Sequence, residues 1–107
     1  MNKIEIGNNI FTLEYDVKHA IQVHNIIYIL FNPDCNTKKF GQFKNLIAIS
    51  QDAKRIWQAD LPTNMSGDCY YDIEFDLDQS LLAYSIKSYT CYIDKKNGRI
   101  LNKVFTK

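Results

Sequence analysis

Short alternating segments run along the whole chain, and turn residues separate them every eight to twelve positions. This spacing is typical of antiparallel β-structure, and Asn97-Gly98 is the strongest turn signal because both residues tolerate a positive φ. The pattern predicts an all-β fold, an antiparallel meander of about eight or nine strands. The predicted strands are Ile10–Tyr15, Ala20–His24, Ile26–Phe31, Asn45–Ser50, Arg55–Ala59, Tyr71–Leu77, Ser80–Ile86, Tyr89–Asp94 and Arg99–Phe105.

The length and composition fit one folded unit. A chain of 107 residues is a single domain by its length, and a hydrophobic share of 46% excludes disorder. The only candidate helix, Val17–Ala20, is too short to be stable. The residues predicted to form the core are Ile27, Ile29, Ile47, Ile49, Ile56, Ile73, Phe75, Leu82, Ile93 and Ile100.

Several features bear on location. The amino terminus lacks the apolar stretch of a signal peptide, and the longest apolar run, Ile26–Phe31, is far shorter than the roughly 20 residues of a membrane span. The three cysteines, Cys35, Cys69 and Cys91, are an odd number at wide spacing, which favours reduced thiols. We therefore expect a cytoplasmic protein with no membrane partner.

An internal repeat divides the chain. Placing Ile49 over Ile93 aligns the two halves without gaps at an offset of 44, so that Arg55-Ile56-Trp57 matches Arg99-Ile100-Leu101. A period of this size, with four short strands per unit, is that of a β-propeller blade. The units are residues 20–59 and 71–105, and we expect two blade-like four-stranded sheets, packed together or as a sandwich.

The repeated hairpin resembles a known one. The strings Ala48–Gln58 and Tyr92–Leu101 are similar to the outer hairpin of quinoprotein-type propeller repeats, which has an aliphatic-Asp pair, a short turn ending in Gly and an aliphatic-Trp pair. The first copy has Ser50 and Lys54 in place of the Asp and Gly, and the second has Leu101 in place of the Trp. Two units cannot close a ring of about four to eight blades, so no cofactor is expected.

A second resemblance covers the whole chain. In length, lack of an export signal and turn-rich β pattern it is similar to bacterial immunity proteins of the contact-dependent growth inhibition type. These are cytosolic proteins that bind one toxin and occlude its active site. The resemblance implies a non-enzymatic inhibitor whose partner is a cognate toxin domain.

An acidic segment points to the charge of that partner. Between Ile56 and Ile86 there are six acidic residues and no Lys or Arg, and apolar and acidic side chains alternate from Tyr71 to Asp78. In a strand this places carboxylates on one face, where they suit a basic partner such as an RNase or DNase. A solvated outer strand with Lys or Arg on its neighbours is the alternative. The predicted partner-binding residues are Asp68, Tyr70, Asp72, Glu74, Asp76 and Asp78.

Other chemistries have weaker signals. No Gly-rich phosphate loop, nucleophile elbow or zinc-ligand spacing occurs, so no catalytic or metal-binding residue is predicted. The loop Asn32–Lys44 combines Lys38, Lys39 and Lys44 with Phe40 and Phe43, but three lysines are too few to predict direct nucleic-acid binding. A protein-interaction scaffold without inhibitory activity, and a small-molecule binder or enzyme using this loop as a lid, remain as alternatives.

Overall fold

The computed structural model describes residues 1–35 and 41–106, which fold into ten strands and one 3-10 turn at Pro33–Cys35. The strands form three antiparallel sheets, and the described residues contain no α-helix. The predicted all-β class is thereby confirmed. The strands are β1 (Lys3–Ile6), β2 (Asn9–Thr12), β3 (Val17–Val23), β4 (Ile26–Phe31), β5 (Leu46–Ile49), β6 (Arg55–Gln58), β7 (Tyr70–Phe75), β8 (Leu81–Ser85), β9 (Tyr89–Ile93) and β10 (Ile100–Phe105).

The sheets are stacked in three layers. The first sheet is the meander β3-β4-β5-β6, and the second is the meander β7-β8-β9-β10. One face of the first sheet packs on the second sheet, with Tyr28 meeting Phe75 edge-on at 5.3 Å between ring centroids. The hairpin β1–β2 covers the opposite face of the first sheet, where its Ile6 joins the cluster that contains Ile29 and Ile49. The second sheet therefore keeps one face open.

A buried side chain ties the two large sheets together. The Asn45 amide nitrogen donates to the carbonyl oxygens of Phe31 at 2.9 Å and Tyr70 at 2.7 Å, and its oxygen accepts the Tyr70 amide at 2.9 Å. Asn45 is fully buried, so each unmade bond would leave a desolvated polar group. This side chain therefore fixes where β7 begins relative to the first sheet.

The two large sheets repeat each other strand by strand. In β3, Val17 pairs with Phe31 and His19 with Leu30, which leaves Lys18 as a bulge residue. In β7, Tyr70 pairs with Ser85 and Asp72 with Tyr84, which leaves Tyr71 as the bulge residue. These two bulges touch, because the Lys18 ammonium donates to the Tyr71 carbonyl oxygen.

A second pair of bulges corrects the gapless alignment of the repeat. Ile56 is the extra residue in β6, and Leu101 is the extra residue in β10. The turn before β6 spans residues 50–54 and the turn before β10 spans 94–99, so the second turn is one residue longer. Trp57 is therefore equivalent to Asn102, which is paired with Tyr92, and not to Leu101.

The same bulges explain errors in the predicted core. Ile56 is 45% exposed, because the bulge turns it out of the alternation that would have buried it. Phe75 and Ile100 are partly buried against the core, and the remaining predicted core residues are buried. Val17–Ala20, the candidate helix, lies in β3. Strand β1 was not predicted.

Candidate functional site

One face of the second sheet, here called the open face, is covered by neither of the other two sheets that the described residues form. Its side chains stand in two rows across the four strands, as the register of the strand pairs shows. The open face consists of Asp72, Tyr84, Thr90 and Val104 in one row and Glu74, Leu82, Tyr92 and Asn102 in the other. Tyr71 leans on it from the bulge, with its ring 6.1 Å from that of Tyr84. Neither row contains a Lys or an Arg.

The equivalent face of the first sheet has a different chemistry. This docking face, which packs on the second sheet, consists of His19, Leu30, Leu46 and Ala59 in one row and Ile21, Tyr28, Ala48 and Trp57 in the other. Ala48 lets the second sheet approach closely, whereas a tyrosine, Tyr92, occupies the same position on the open face. Likewise Glu74 stands where the docking face has Ile21. The open face therefore lacks the flat apolar surface that sheet stacking requires.

Two carboxylates give one side of the open face its charge. The Asp72 carboxylate lies 3.7 Å from the His19 ring nitrogen, and both side chains are about half exposed. The Glu74 carboxylate accepts a hydrogen bond from the Tyr84 hydroxyl, which raises the pKa of Tyr84 to about 12. Since no lysine or arginine forms a salt bridge to either carboxylate within the described residues, this side of the face is acidic.

The predicted acidic strand is shorter than expected. Strand β7 ends at Phe75, and the Asp76 carboxylate accepts the amides of Asp78 and Ser80, each at 2.9 Å, to build a turn. Asp76 and Asp78 therefore lie beyond the strand and do not continue the face begun by Asp72. The prediction of four aligned carboxylates is therefore correct for two of them. It is wrong for the other two because an Asp side chain readily accepts backbone amides in a turn, which ends the strand.

Two other predicted partner-binding residues lie inside the protein, which corrects their placement on a surface. The Asp68 carboxylate accepts the hydroxyls of Thr63 at 2.7 Å and Ser85 at 2.6 Å, and the Tyr70 hydroxyl donates to the Asp60 carbonyl oxygen at 2.6 Å. Both Asp68 and Tyr70 have no exposed surface. They hold the connection between the two large sheets and cannot contact a partner.

Part of the basic-aromatic loop can be placed. Lys38, Lys39 and Phe40 lie outside the described residues. Phe43 is buried under the hairpin, where its ring packs edge-on against Tyr15 at 4.9 Å between centroids, and Lys44 is exposed. Phe43 is therefore not available to stack on a base.

Two of the three cysteines are buried. Burial is the main cause of the raised pKa of the Cys69 and Cys91 thiols, which keeps both in the protonated, unreactive form. Within residues 1–35 and 41–106, no three His, Cys, Asp or Glu side chains are grouped so that they could hold a metal ion. The open face itself presents tyrosine rings and carboxylates.

Sequence reasoning recognises Tyr71, Tyr84 and Tyr92 as possible interface anchors but does not place them on one face with the carboxylates. Tyr84 on β8 is paired with Asp72, whereas Tyr92 on β9 is in the same row as Glu74 with Leu82 between them, and only the registers show this. Their alternation with buried residues such as Ala83 and Cys91 was a signal of outward orientation. It did not reveal which strands would be neighbours.

Comparison with known proteins gives a family. The profile of a family described as a domain of unknown function, DUF7957, matches residues 1–105. The chain belongs to the DUF7957 family. No curated protein and no solved structure matched the chain. In the part of this DUF7957 chain that the structure describes, no helix is long and apolar enough to cross a membrane.

Proposed function

We propose that this DUF7957 protein is an immunity-type inhibitor that binds a cognate toxin through the open face and occludes the toxin's active site. The observation that carries the proposal is the change in chemistry between equivalent faces. Where the docking face has Ile21 and Ala48, the open face has Glu74 and Tyr92. A surface of carboxylates with one exposed tyrosine, Tyr71, and two partly buried ones, Tyr84 and Tyr92, is suited to binding a protein reversibly, because tyrosine is enriched at interface hot spots.

The charge of the open face favours a basic partner. Asp72 and Glu74 lie side by side on the edge strand β7, and Asp76 and Asp78 extend the acidic region into the next turn. Such a region speeds the association of a cationic protein and suits a cleft that binds phosphates. We propose a nuclease domain as the toxin for this reason. The inhibitor supplies no covalent chemistry.

The first test is capture of the tagged protein's partner from the cells that make it, with washes at low and high salt. We expect one stoichiometric partner that contains a basic toxin domain and elutes with salt. The purified toxin's activity should fall to zero at one equivalent of inhibitor. Several unrelated partners, none of them inhibited, would support the scaffold function instead.

A charge-reversed variant tests the surface. Asp72→Lys combined with Glu74→Lys should weaken toxin binding by about a hundredfold, because two attractive contacts become repulsive. The matched control is Glu5→Lys combined with Asp34→Lys, which changes the net charge equally at exposed sites away from the open face. Equal affinity of the two variants, with both shown to be folded by circular dichroism, would exclude the open face as the toxin-binding surface.

A further inference from the structure

The free edge of the second sheet borders a groove that shares only Asn102 with the open face. Two adjoining depressions of about 420 and 440 Å³ lie between strand β10 and the connection that follows β6. Leu61 and Ile100 line both depressions, so they form one groove. Pro62 and Leu101 add to its apolar floor, and Leu101 is 68% exposed.

Strand β10 leaves half of its backbone polar groups unpaired within the sheet. The Thr106 amide donates to the Ser88 carbonyl oxygen, so it points toward β9. Backbone direction alternates along a strand, and the unbroken register from Asn102 to Phe105 therefore turns the amides of Lys103 and Phe105 away from β9. Within the described residues β10 pairs with β9 alone. An unpaired row of donors and acceptors of this kind is a template for an added strand.

The groove has the opposite charge from the open face. Its lining contains the cations Lys44, Arg99 and Lys103 and one carboxylate, that of Asp60. The Lys44 ammonium lies 3.9 Å from the Asp60 carboxylate, which leaves the other two cations without a salt bridge to a described residue. The Lys103 ammonium donates to the Pro62 carbonyl oxygen at 2.7 Å and lies 5.3 Å from the centre of the Tyr89 ring. It is thereby fixed at the wall of the groove.

We propose that this groove binds an extended acidic segment of a protein, which adds to β10 as a fifth strand of the second sheet. The free amides of Lys103 and Phe105 pair with the segment's backbone. Its apolar side chains contact Leu61 and Leu101, while its carboxylates meet Arg99 and Lys103. A nucleic-acid backbone would match the charge but would use neither the strand edge nor the apolar floor. This site lies at the edge of the open face and does not depend on the toxin-binding proposal.

Direct binding to the intact chain tests the proposal. The probe is a fluorescein-labelled peptide of about ten residues in which Val and Glu alternate, since that length covers one edge strand. Its matched control has Lys at each Glu position. We expect the anisotropy of the Glu peptide to rise with protein concentration and that of the Lys peptide to stay constant. Equal binding of the two peptides, or tighter binding of a single-stranded oligonucleotide, would overturn the proposal.

Variants locate the bound peptide. Arg99→Glu should weaken binding of the Glu peptide at least about tenfold, and Arg99→Glu combined with Lys103→Glu should weaken it further. The control Lys3→Glu combined with Lys54→Glu makes the same change in net charge as the double variant and should leave the binding unchanged. Since Lys103 contacts Tyr89 and Pro62, the single Arg99 variant keeps the test valid if the double variant fails to fold. Unchanged affinity of the Arg99→Glu variant would exclude this groove.

Hydrogen exchange checks the backbone pairing. Peptide binding should slow exchange of the Lys103 and Phe105 amides and leave the Val104 amide, already paired with β9, unchanged. Binding without this protection would mean that no fifth strand forms. Protection that appears without peptide and increases with protein concentration would identify a second copy of the chain as the occupant and overturn the acidic-segment assignment.

Discussion

The docking face of the first sheet and the open face of the second occupy equivalent positions in two equivalent sheets, yet the docking face is buried against the second sheet and the open face is not covered by another sheet. Ala48 and Trp57 on the docking face are buried, whereas their counterparts Tyr92 and Asn102 lie on the open face. The backbone pattern is the same, including the position of both bulges. The comparison teaches that side-chain chemistry at a few positions, rather than strand arrangement, decides whether a sheet stacks or faces solvent.

Trp57 is the clearest difference between the faces, and its removal has the largest expected effect. The indole is buried, and its nitrogen donates at 2.8 Å to the Lys95 carbonyl oxygen in the turn between β9 and β10. Trp57→Ala should lower the free energy of unfolding by about 3–5 kcal/mol, measured by urea denaturation. Asn102→Ala, at the equivalent exposed position, should change it by less than about 0.5 kcal/mol. Similar losses in the two variants would contradict the assigned difference between the faces.

Gly98 offers a smaller and more local test of how the sheets fit. Gly98 has a φ of 78°, and a Cβ atom there would lie 2.6 Å from the Trp57 ring. Gly98→Ala should lower the free energy of unfolding by about 3 kcal/mol, because overpacking adds to backbone strain. The control Gly7→Ala introduces backbone strain without a clash, because Gly7 has a φ of 61° and no atom lies within 4 Å of the new Cβ. It should lower the free energy of unfolding by about 1 kcal/mol.

A double-mutant cycle separates the two contributions at Gly98. In a Trp57→Ala background the clash with the ring is absent and a close approach of 3.2 Å to the Ala59 Cα remains. Gly98→Ala should therefore cost about 1–2 kcal/mol there, close to the Gly7 control and less than in the wild-type background. Urea denaturation of the four proteins in the cycle gives the coupling. Additive losses would show that the Trp57 ring and Gly98 do not pack against each other.

The smallest expected effect concerns the Glu74–Tyr84 hydrogen bond on the open face. The pKa of Tyr84 is raised from 10.0 to about 12, so the bond stabilises the fold fully below pH 10 and its contribution is lost as the pH rises through 12. Glu74→Gln should move the titration midpoint of Tyr84 down toward 10. The phenolate absorbance of each protein minus that of its Tyr84→Phe variant isolates this group. An unchanged midpoint would contradict the assigned hydrogen bond.

The fold was predictable from alternation and turn residues because these are local signals. The two four-stranded sheets, and most of the core isoleucines, follow from the period of two along each strand. The bulges at Ile56 and Tyr71 were not predictable, because an extra residue in one strand is defined only by its partner strand. The predicted site residues were partly misplaced for the same reason. Asp72 and Glu74 were placed on one outward face, but the burial of Asp68 depends on the Thr63 hydroxyl in the same connection and on the Ser85 hydroxyl at the end of β8.

The hairpin β1–β2 makes the two ends of the stack of sheets different from each other. It caps the face of the first sheet that is equivalent to the inner face of the second, so another copy cannot add there in the way the second sheet adds to the first. Head-to-tail growth, the route by which repeated surfaces produce filaments, is therefore closed at this end. Among the described residues the stack is therefore capped at one end by the hairpin and ends at the other in the open face, so its two ends are not complementary to each other.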